Sequence, residues 1–399
     1  MKRLIPCLAY AAALIFAAAP AASQTTGDPI ALLRRAAELS QAGNAADALP
    51  LAQQALTILE KQRGPDDTDV GSAVTYLALL NRQLGRLKEA EPLYLRALAI
   101  RQKALGAEHP DVAVAAENLA MLYRATGRRD EAELLLKRAL AINEKAHGQD
   151  HPAVAASLGG LGALYQDAGR QRDAEPLYQR ALAIRERTFG PDHPQVAIAL
   201  ATLGELYRTS GRLSEAEPLF KRALTITEKT LGADHPDVAT TLQELAMTYW
   251  VQNRIEEVEP LFRRALAVRE KAYGPDHPAV AQTLNTMAGF YRDQGRHADA
   301  EPNFKRVLAM YEKALGPEHP GVATSLNNLA VLYQEMGRPA DAEPLAKRAL
   351  ALREKTFGPD NPQLLNTIHN LAELYRTLGR NAEAEALNKR AEAIKRKAK

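Results

Sequence analysis

The chain has 399 residues, of which 46% are hydrophobic, 25% charged and 5% aromatic, with a formal net charge of +3. That apolar share supplies ample material for a continuous core, and the near balance of 51 basic and 48 acidic residues argues against a general binder of nucleic acid or anionic membrane.

The N-terminus is expected to be a signal peptide over residues 1–23. Lys2 and Arg3 precede an apolar run from Leu4 to Ala19, and Ala21, Ala22 and Ser23 place the cleavage after Ser23. Cleavage would leave a net charge of +1 by removing Lys2 and Arg3, and would make the protein an exported one, periplasmic or secreted. Cys7, the single cysteine, would leave with this segment, so the mature chain could form neither a disulfide nor a thiolate metal site. Residues 24–29 follow as a short linker. No mature segment is long and apolar enough to span a bilayer.

From Ile30 to the C-terminus the chain is periodic. Pro110, Pro152, Pro194, Pro236, Pro278, Pro320 and Pro362 lie 42 residues apart, within a phrase written GADHPDVA at Gly232–Ala239 and GPDHPAVA at Gly274–Ala281. A fixed period of this length marks stacked units, each unable to bury its apolar face alone. In the unit that starts at Pro110, the residues Val112, Ala116, Leu119, Ala120 and Tyr123 fall on one helix face. Gly127 ends that helix, and Ala132, Leu135, Leu136, Ala139 and Leu140 mark a second. Each unit therefore predicts two antiparallel helices, A and B, joined by a short turn, and the fold class is all-α. The first pair, Ile30–Gly64, has Leu39 in place of the tyrosine, and the His-Pro phrase becomes Asp67-Thr68 before the second. The turn glycine is replaced once, by Asn253, asparagine being the residue that next best tolerates a left-handed backbone. About nine pairs fill residues 30–399, the first and last acting as caps.

Several repeated residues look chemical and have structural explanations. Six of the nine histidines (His109, His151, His193, His235, His277 and His319) precede a proline. Successive copies lie a full repeat apart, no second ligand column accompanies them, and a capping residue before a proline in the first helical position explains the phrase. No metal or cofactor site is expected. Basic pairs such as Lys137-Arg138 and Lys305-Arg306 follow Glu133 and Glu301 by four residues, the spacing of helical ion pairs, which predicts a self-compensated outer face rather than a nucleic-acid stripe. Prolines such as Pro260 and Pro302 are expected near the end of the first turn of helix B, where few backbone donors have partners to lose. Gly159 and Gly160 lie mid-helix and follow no strand, so they are not a phosphate loop.

The columns of small, aromatic and glycine positions resemble the tetratricopeptide repeat. The 42-residue period, with the EAEPLYxRALAI and GxxHPxVA phrases, looks like the kinesin light chain subgroup from about Asp28 onward. The resemblance implies a tetratricopeptide repeat solenoid, a right-handed superhelix whose A helices line a concave groove. It implies a protein or peptide partner held at the non-core A-helix positions: Glu117 and Asn118, Gln243 and Glu244, Asn285 and Thr286, Asn327 and Asn328, His369 and Asn370. Side-chain amides can bond an extended backbone without regard to its sequence. Kinesin light chains carry an Asn-Asn pair there in most repeats, and this chain keeps it whole only at Asn327-Asn328. Gly159-Gly160 and Ala201-Thr202 stand at those places in the middle, where grip should be poorer. The Lys and Asn clamp of chaperone-tail binders has no counterpart in the later units.

Arg124, Arg208, Arg292 and Arg376 each follow a tyrosine. Facing the groove, they would offer spaced donors to acidic side chains of a partner; otherwise they solvate a helix end. Trp250, the only tryptophan, stands in the most divergent unit beside Asn253 and Val258, either as a binding hot spot or as core filling. The expected function is a non-catalytic interaction scaffold of the cell envelope. Its rivals are an array that self-associates through its open ends, and an enzyme with a site around Trp250–Val258, where no nucleophile stands out.

Overall fold

The computed structural model describes residues 27–41 and 43–397. The expected signal peptide, residues 1–23, and the first half of the linker, residues 24–26, lie outside the described residues. Among the described residues there are eighteen α-helices and one 3₁₀ turn, and no strand.

Two compact units divide the chain, one up to Leu206 and the other from Tyr207. The first holds α1 (Pro29–Gln41) with α2 (Ala45–Arg63), α3 (Thr68–Gln83) with α4 (Leu87–Leu105), α5 (Pro110–Thr126) with α6 (Arg129–His147), and α7 (Pro152–Asp167) with α8 (Gln171–Phe189). The division falls within α9 (Pro194–Thr209), which α10 (Leu213–Leu231) follows. The second unit then pairs α11 (Pro236–Val251) with α12 (Ile255–Tyr273), α13 (Pro278–Asp293) with α14 (His297–Leu315), and α15 (Pro320–Glu335) with α16 (Pro339–Phe357). Its last pair is α17 (Leu365–Thr377) with α18 (Asn381–Lys397). A 3₁₀ turn at Pro362–Leu364 precedes α17, so the last A helix begins a turn later than its copies. Odd-numbered helices are the A helices and even-numbered ones the B helices.

The repeated phrases act at the helix ends. In α13, His277 Nδ1 accepts from the Ala279 backbone N–H at 3.1 Å, and Pro278 occupies the first position, where a missing N–H costs nothing. His109, His151, His193, His235 and His319 make the same bond at 3.0 to 3.3 Å, while Asp67 and Asn361 make it through a side-chain oxygen. An imidazole that accepts at Nδ1 carries its proton on Nε2, so this cap requires a neutral histidine. Helix α5 ends at Gly127 with φ 82°, and Asn253, at φ 59°, is the only non-glycine with positive φ among the described residues. The prolines of helix B sit one step deeper than expected. Pro260 is the sixth residue of α12, at the start of the second turn, so the Glu256 carbonyl can receive no bond from it, yet the helix continues.

Each core draws on a pair and on the B helix before it. Val238, Ala239 and Leu242 of α11 and Ala265 and Val268 of α12 are buried together, closed by Leu224 of α10 and Leu261. In the first unit Val154, Ala155 and Leu158 of α7 pack with Ala181 and Ile184 of α8, closed by Leu140 of α6 and Leu177. Burying one such leucine contributes roughly 1.5–3 kcal/mol. The small column permits close approach: a Cβ at Gly162 would lie 2.7 Å from the Tyr178 ring of α8.

Candidate functional site

The A helices carry the expected ligand positions in register, and in the second unit these positions bond to one another from one A helix to the next. Asn328 Nδ2 of α15 donates to Asn285 Oδ1 of α13 at 2.9 Å, and Asn370 Nδ2 of α17 donates to Asn327 Oδ1 of α15 at 3.1 Å. Asn327 is buried, while Asn285, Asn328 and Asn370 are half-buried. Each rung uses one donor of one amide and the oxygen of the other. The remaining amide hydrogens and oxygens are fixed in direction, as recognition of an extended backbone requires. Gln243 is buried and accepts from Arg269 Nη1 of α12 at 2.7 Å, and Asn118 in the first unit is buried. The family resemblance implied that these residues form one ligand-facing set. The structure brings Asn285, Asn327, Asn328 and Asn370 together as rungs and commits Gln243 to an internal bond.

The four arginines have carboxylate partners within the chain. Arg124 Nε lies 2.8 Å from Asp167 Oδ2, and Arg208 Nε lies 3.2 Å from Glu244 Oε2. Arg292 meets Asp293 at 3.0 Å and Glu335 at 3.7 Å, and Arg376 pairs with Glu373. The donors expected to meet an acidic partner are therefore engaged internally, and three of the four arginines reach a carboxylate on the next A helix. Trp250 is half-buried at the end of α11, edge-on to Phe290 of α13 with ring centroids 5.6 Å apart at 84°. Phe290 is fully buried, and Trp250 lies over Gly289, where a Cβ would come within 3.8 Å of its ring. This packing joins consecutive helix pairs.

Sequence reading missed a set of polar side chains that B helices send between the A helices. Arg101 of α4, buried, donates to Thr75 Oγ1 of α3 at 2.8 Å, and desolvation pushes its guanidinium below the ordinary arginine range. Arg269 of α12, also buried, bonds Gln243 and Thr283. Asn143 of α6 holds the corresponding place in the first unit and donates to Ser157 Oγ of α7 at 2.9 Å. Ser157 in turn donates to Glu117 Oε1 of α5 at 2.5 Å. Burial pushes the Glu117 carboxyl up to about 7, the Ser157 bond acting in the opposite direction. The available signal was the B-helix column itself, in which Arg101, Asn143 and Arg269 stand at 42-residue multiples.

The basic pairs on the B helices are compensated as the spacing predicts: Lys137 meets Glu133 and Lys305 meets Glu301, each at 2.7 Å. Among the described residues no three His, Cys, Asp or Glu side chains converge to hold a metal ion, and no helix is long and apolar enough to cross a membrane.

A family model described as tetratricopeptide repeat matches the chain in overlapping stretches, residues 70–145, 135–187, 172–229, 211–271, 237–289, 280–355 and 327–397. No curated protein matches it. Among solved structures, the chain is similar to a Podosopora anserina protein described as a kinesin light chain with nearly identical TPR-like repeats. The two share 28% identity at a TM-score of 0.45 over 52% of this chain and 98% of that one. It is also similar to BtubC (BKLC) from P. vanneervenii, at 25% identity and a TM-score of 0.48, over 62% of this chain and 94% of that one. The apo form of the quorum sensor NprR from B. thuringiensis is similar at 15% identity and a TM-score of 0.58, over 81% of this chain and 87% of that one, a likeness of fold alone.

Proposed function

The chain belongs to the tetratricopeptide repeat family, and from that premise we propose that it is a non-catalytic scaffold of the cell envelope that holds an extended segment of a partner protein along the A helices of its second unit. The observation that carries this reading is the pair of amide rungs, Asn285 with Asn328 and Asn327 with Asn370. An amide whose oxygen is already bonded to its neighbour has lost its rotational freedom before a ligand arrives, which lowers the entropy cost of binding a peptide backbone. In this reading Arg292 and Arg376, held by Glu335 and Glu373, border the row and set its charge. Export places the scaffold in the envelope, the signal being residues 1–23, and the mature chain would begin at Gln24.

Affinity capture from an envelope fraction tests the reading, with the full chain beside a variant carrying Asn327→Ala, Asn328→Ala, Arg292→Ala and Arg376→Ala. A partner retained by the first and lost by the second, at equal thermal stability, supports it. Equal capture by both baits rules out the A-helix row as the binding face. N-terminal sequencing of the protein from a periplasmic fraction tests export separately: a start other than one near Gln24 removes the envelope setting.

A further inference from the structure

Three residues of the first unit repeat a buried polar bridge of the second with three exchanges, of which only Ser157 for Thr283 keeps the chemistry, a hydroxyl. In the second unit Arg269 donates to Gln243 Oε1 at 2.7 Å and to Thr283 Oγ1 at 2.5 Å, joining α11 to α13. Three periods earlier the same places hold Asn143, Glu117 and Ser157. A carboxyl replaces the amide, and a short neutral side chain replaces the guanidinium. Ser157 is the hydrogen-bond partner of Glu117, and among the described residues no cationic side chain pairs with that carboxyl.

The amide cover is missing as well. In the second unit the residue 43 positions later bonds each rung, Asn328 to Asn285 and Asn370 to Asn327. For Glu117 that place is Gly160, which has no side chain to offer, and a Cβ at neighbouring Gly159 would meet nothing within 4 Å. Glu117 is left half-buried, with one oxygen bonded to a serine and no counter-charge, and Leu136 stands 3.0 Å from where a Cβ of Gly160 would lie. Such a carboxyl favours a ligand that supplies charge and hydrogen bonds together. The bridge in the second unit identifies the matching group, a guanidinium that spans two consecutive A helices.

We propose that the half-buried Glu117, backed by the buried Ser157 and Asn143, forms a receptor site for one arginine side chain of the partner protein, whose guanidinium supplies the group that Arg269 supplies in the second unit. The site rests on the scaffold reading for the source of that arginine. It gives the partner a basic residue, where the arginine column in the sequence had pointed to acidic ones.

The test uses the full chain and N-acetyl-arginine amide at pH 8, with N-acetyl-citrulline amide as the neutral control, read by NMR at the Asn143 side-chain amide after selective asparagine labelling. The arginine probe should produce a saturable shift with a Kd on the order of 10 mM, and the citrulline probe should bind about tenfold more weakly or not at all. Glu117→Gln and Asn143→Arg should each abolish the shift, the first read at Asn143 and the second at the labelled Asn118 amide. Both variants copy residues that the second unit accommodates, Gln243 and Arg269, so their folding has a precedent in the same chain. Equal binding of the two probes, or an arginine response that survives Glu117→Gln, overturns the site. A failed arginine response alongside successful capture by the second unit removes the site and leaves the scaffold standing. An arginine response without any captured partner supports the site and removes the scaffold.

Discussion

Tyr291 of α13 donates its hydroxyl to Glu259 Oε1 of α12 at 3.0 Å, across the step from one helix pair to the next. Glu259 is a node: Arg296 reaches its other oxygen at 2.5 Å while lying 4.5 Å over the Tyr291 ring, and Arg263 approaches from one helical turn away at 2.6 Å. The arrangement recurs where Tyr165 and Arg170 meet Glu133 and where Tyr333 and Arg338 meet Glu301. A pair that cannot bury its core alone is thus oriented on its neighbour by a polar fixture at the turn edge.

The Arg296 guanidinium, helped by Arg263 and the Tyr291 hydroxyl and opposed by partial burial, holds the Glu259 carboxyl down to about 2. A carboxyl whose folded pKa lies below its ordinary value of 4.5 stabilises the fold above that value, and the contribution is lost as pH falls toward 2. Glu259→Gln should therefore lower stability by on the order of 1 kcal/mol at pH 7 and by progressively less below pH 4. Urea midpoints of both proteins across that range provide the check; a deficit that is constant with pH contradicts the ion-pair account.

The histidine caps add a second acid-side effect. Burial holds the His277 imidazole below its ordinary 6.5, which keeps Nδ1 free to accept the Ala279 N–H. A group that is neutral in the fold with a lowered pKa contributes stability above 6.5 that disappears as pH falls through the folded value. His277→Asn, which copies the Asn361 cap, should match the parent at pH 8 and exceed it at pH 5, whereas His277→Ala should cost about 1 kcal/mol at pH 8. Thermal melts at the two pH values distinguish these outcomes.

Gly162→Ala should destabilise the first unit by about 1–3 kcal/mol, because the added methyl meets the Tyr178 ring. The homologous places hold Ala120 and Leu136 in α5 and α6 and Ala78 and Tyr94 in α3 and α4, all buried. An alanine is thus accommodated opposite leucine and opposite a tyrosine ring that stands clear of it, whereas the Tyr178 ring lies 2.7 Å from the added methyl. Adding Tyr178→Leu should then recover part of the loss, and a double-mutant cycle in denaturant measures the coupling. Purely additive losses would mean that the ring contact is not the cause.

Glu117 works in the opposite sense from Glu259. With its carboxyl pushed up to about 7 by burial, the folded chain holds a proton between its ordinary 4.5 and 7 that the unfolded chain releases, so stability declines as pH rises through that window. The groups that face it, Asn143 and Ser157, are neutral and hydrogen-bonded to one another. Glu117→Gln should leave stability near pH 4 unchanged and raise it by on the order of 1 kcal/mol at pH 8. Denaturant midpoints at the two pH values measure the difference, and an equal shift at both would place the effect in packing instead.

The local features were legible in the sequence because short-range rules produce them. Helix pairs, histidine caps and the left-handed turn at Asn253 follow from apolar spacing and from what a given backbone conformation tolerates. The 42-residue period also announced the columns of Glu, Tyr and Arg, as residues that recur. What it could not announce was which columns touch. Glu259 meets Arg296 37 residues later, Arg124 meets Asp167 43 later, and Arg269 reaches Gln243 and Thr283 in the A helices on either side. These meetings depend on how each helix pair is rotated and advanced over the one before it, a rigid-body relation set by packing of Val, Leu and Ala at the shared core. A strict period fixes that every step is alike, whereas the direction of the step belongs to the tertiary structure. For the same reason the arginines could be read in the sequence as free donors, and the exchange of Gln243 and Arg269 for Glu117 and Asn143 acquired a meaning only once the two bridges could be compared in space.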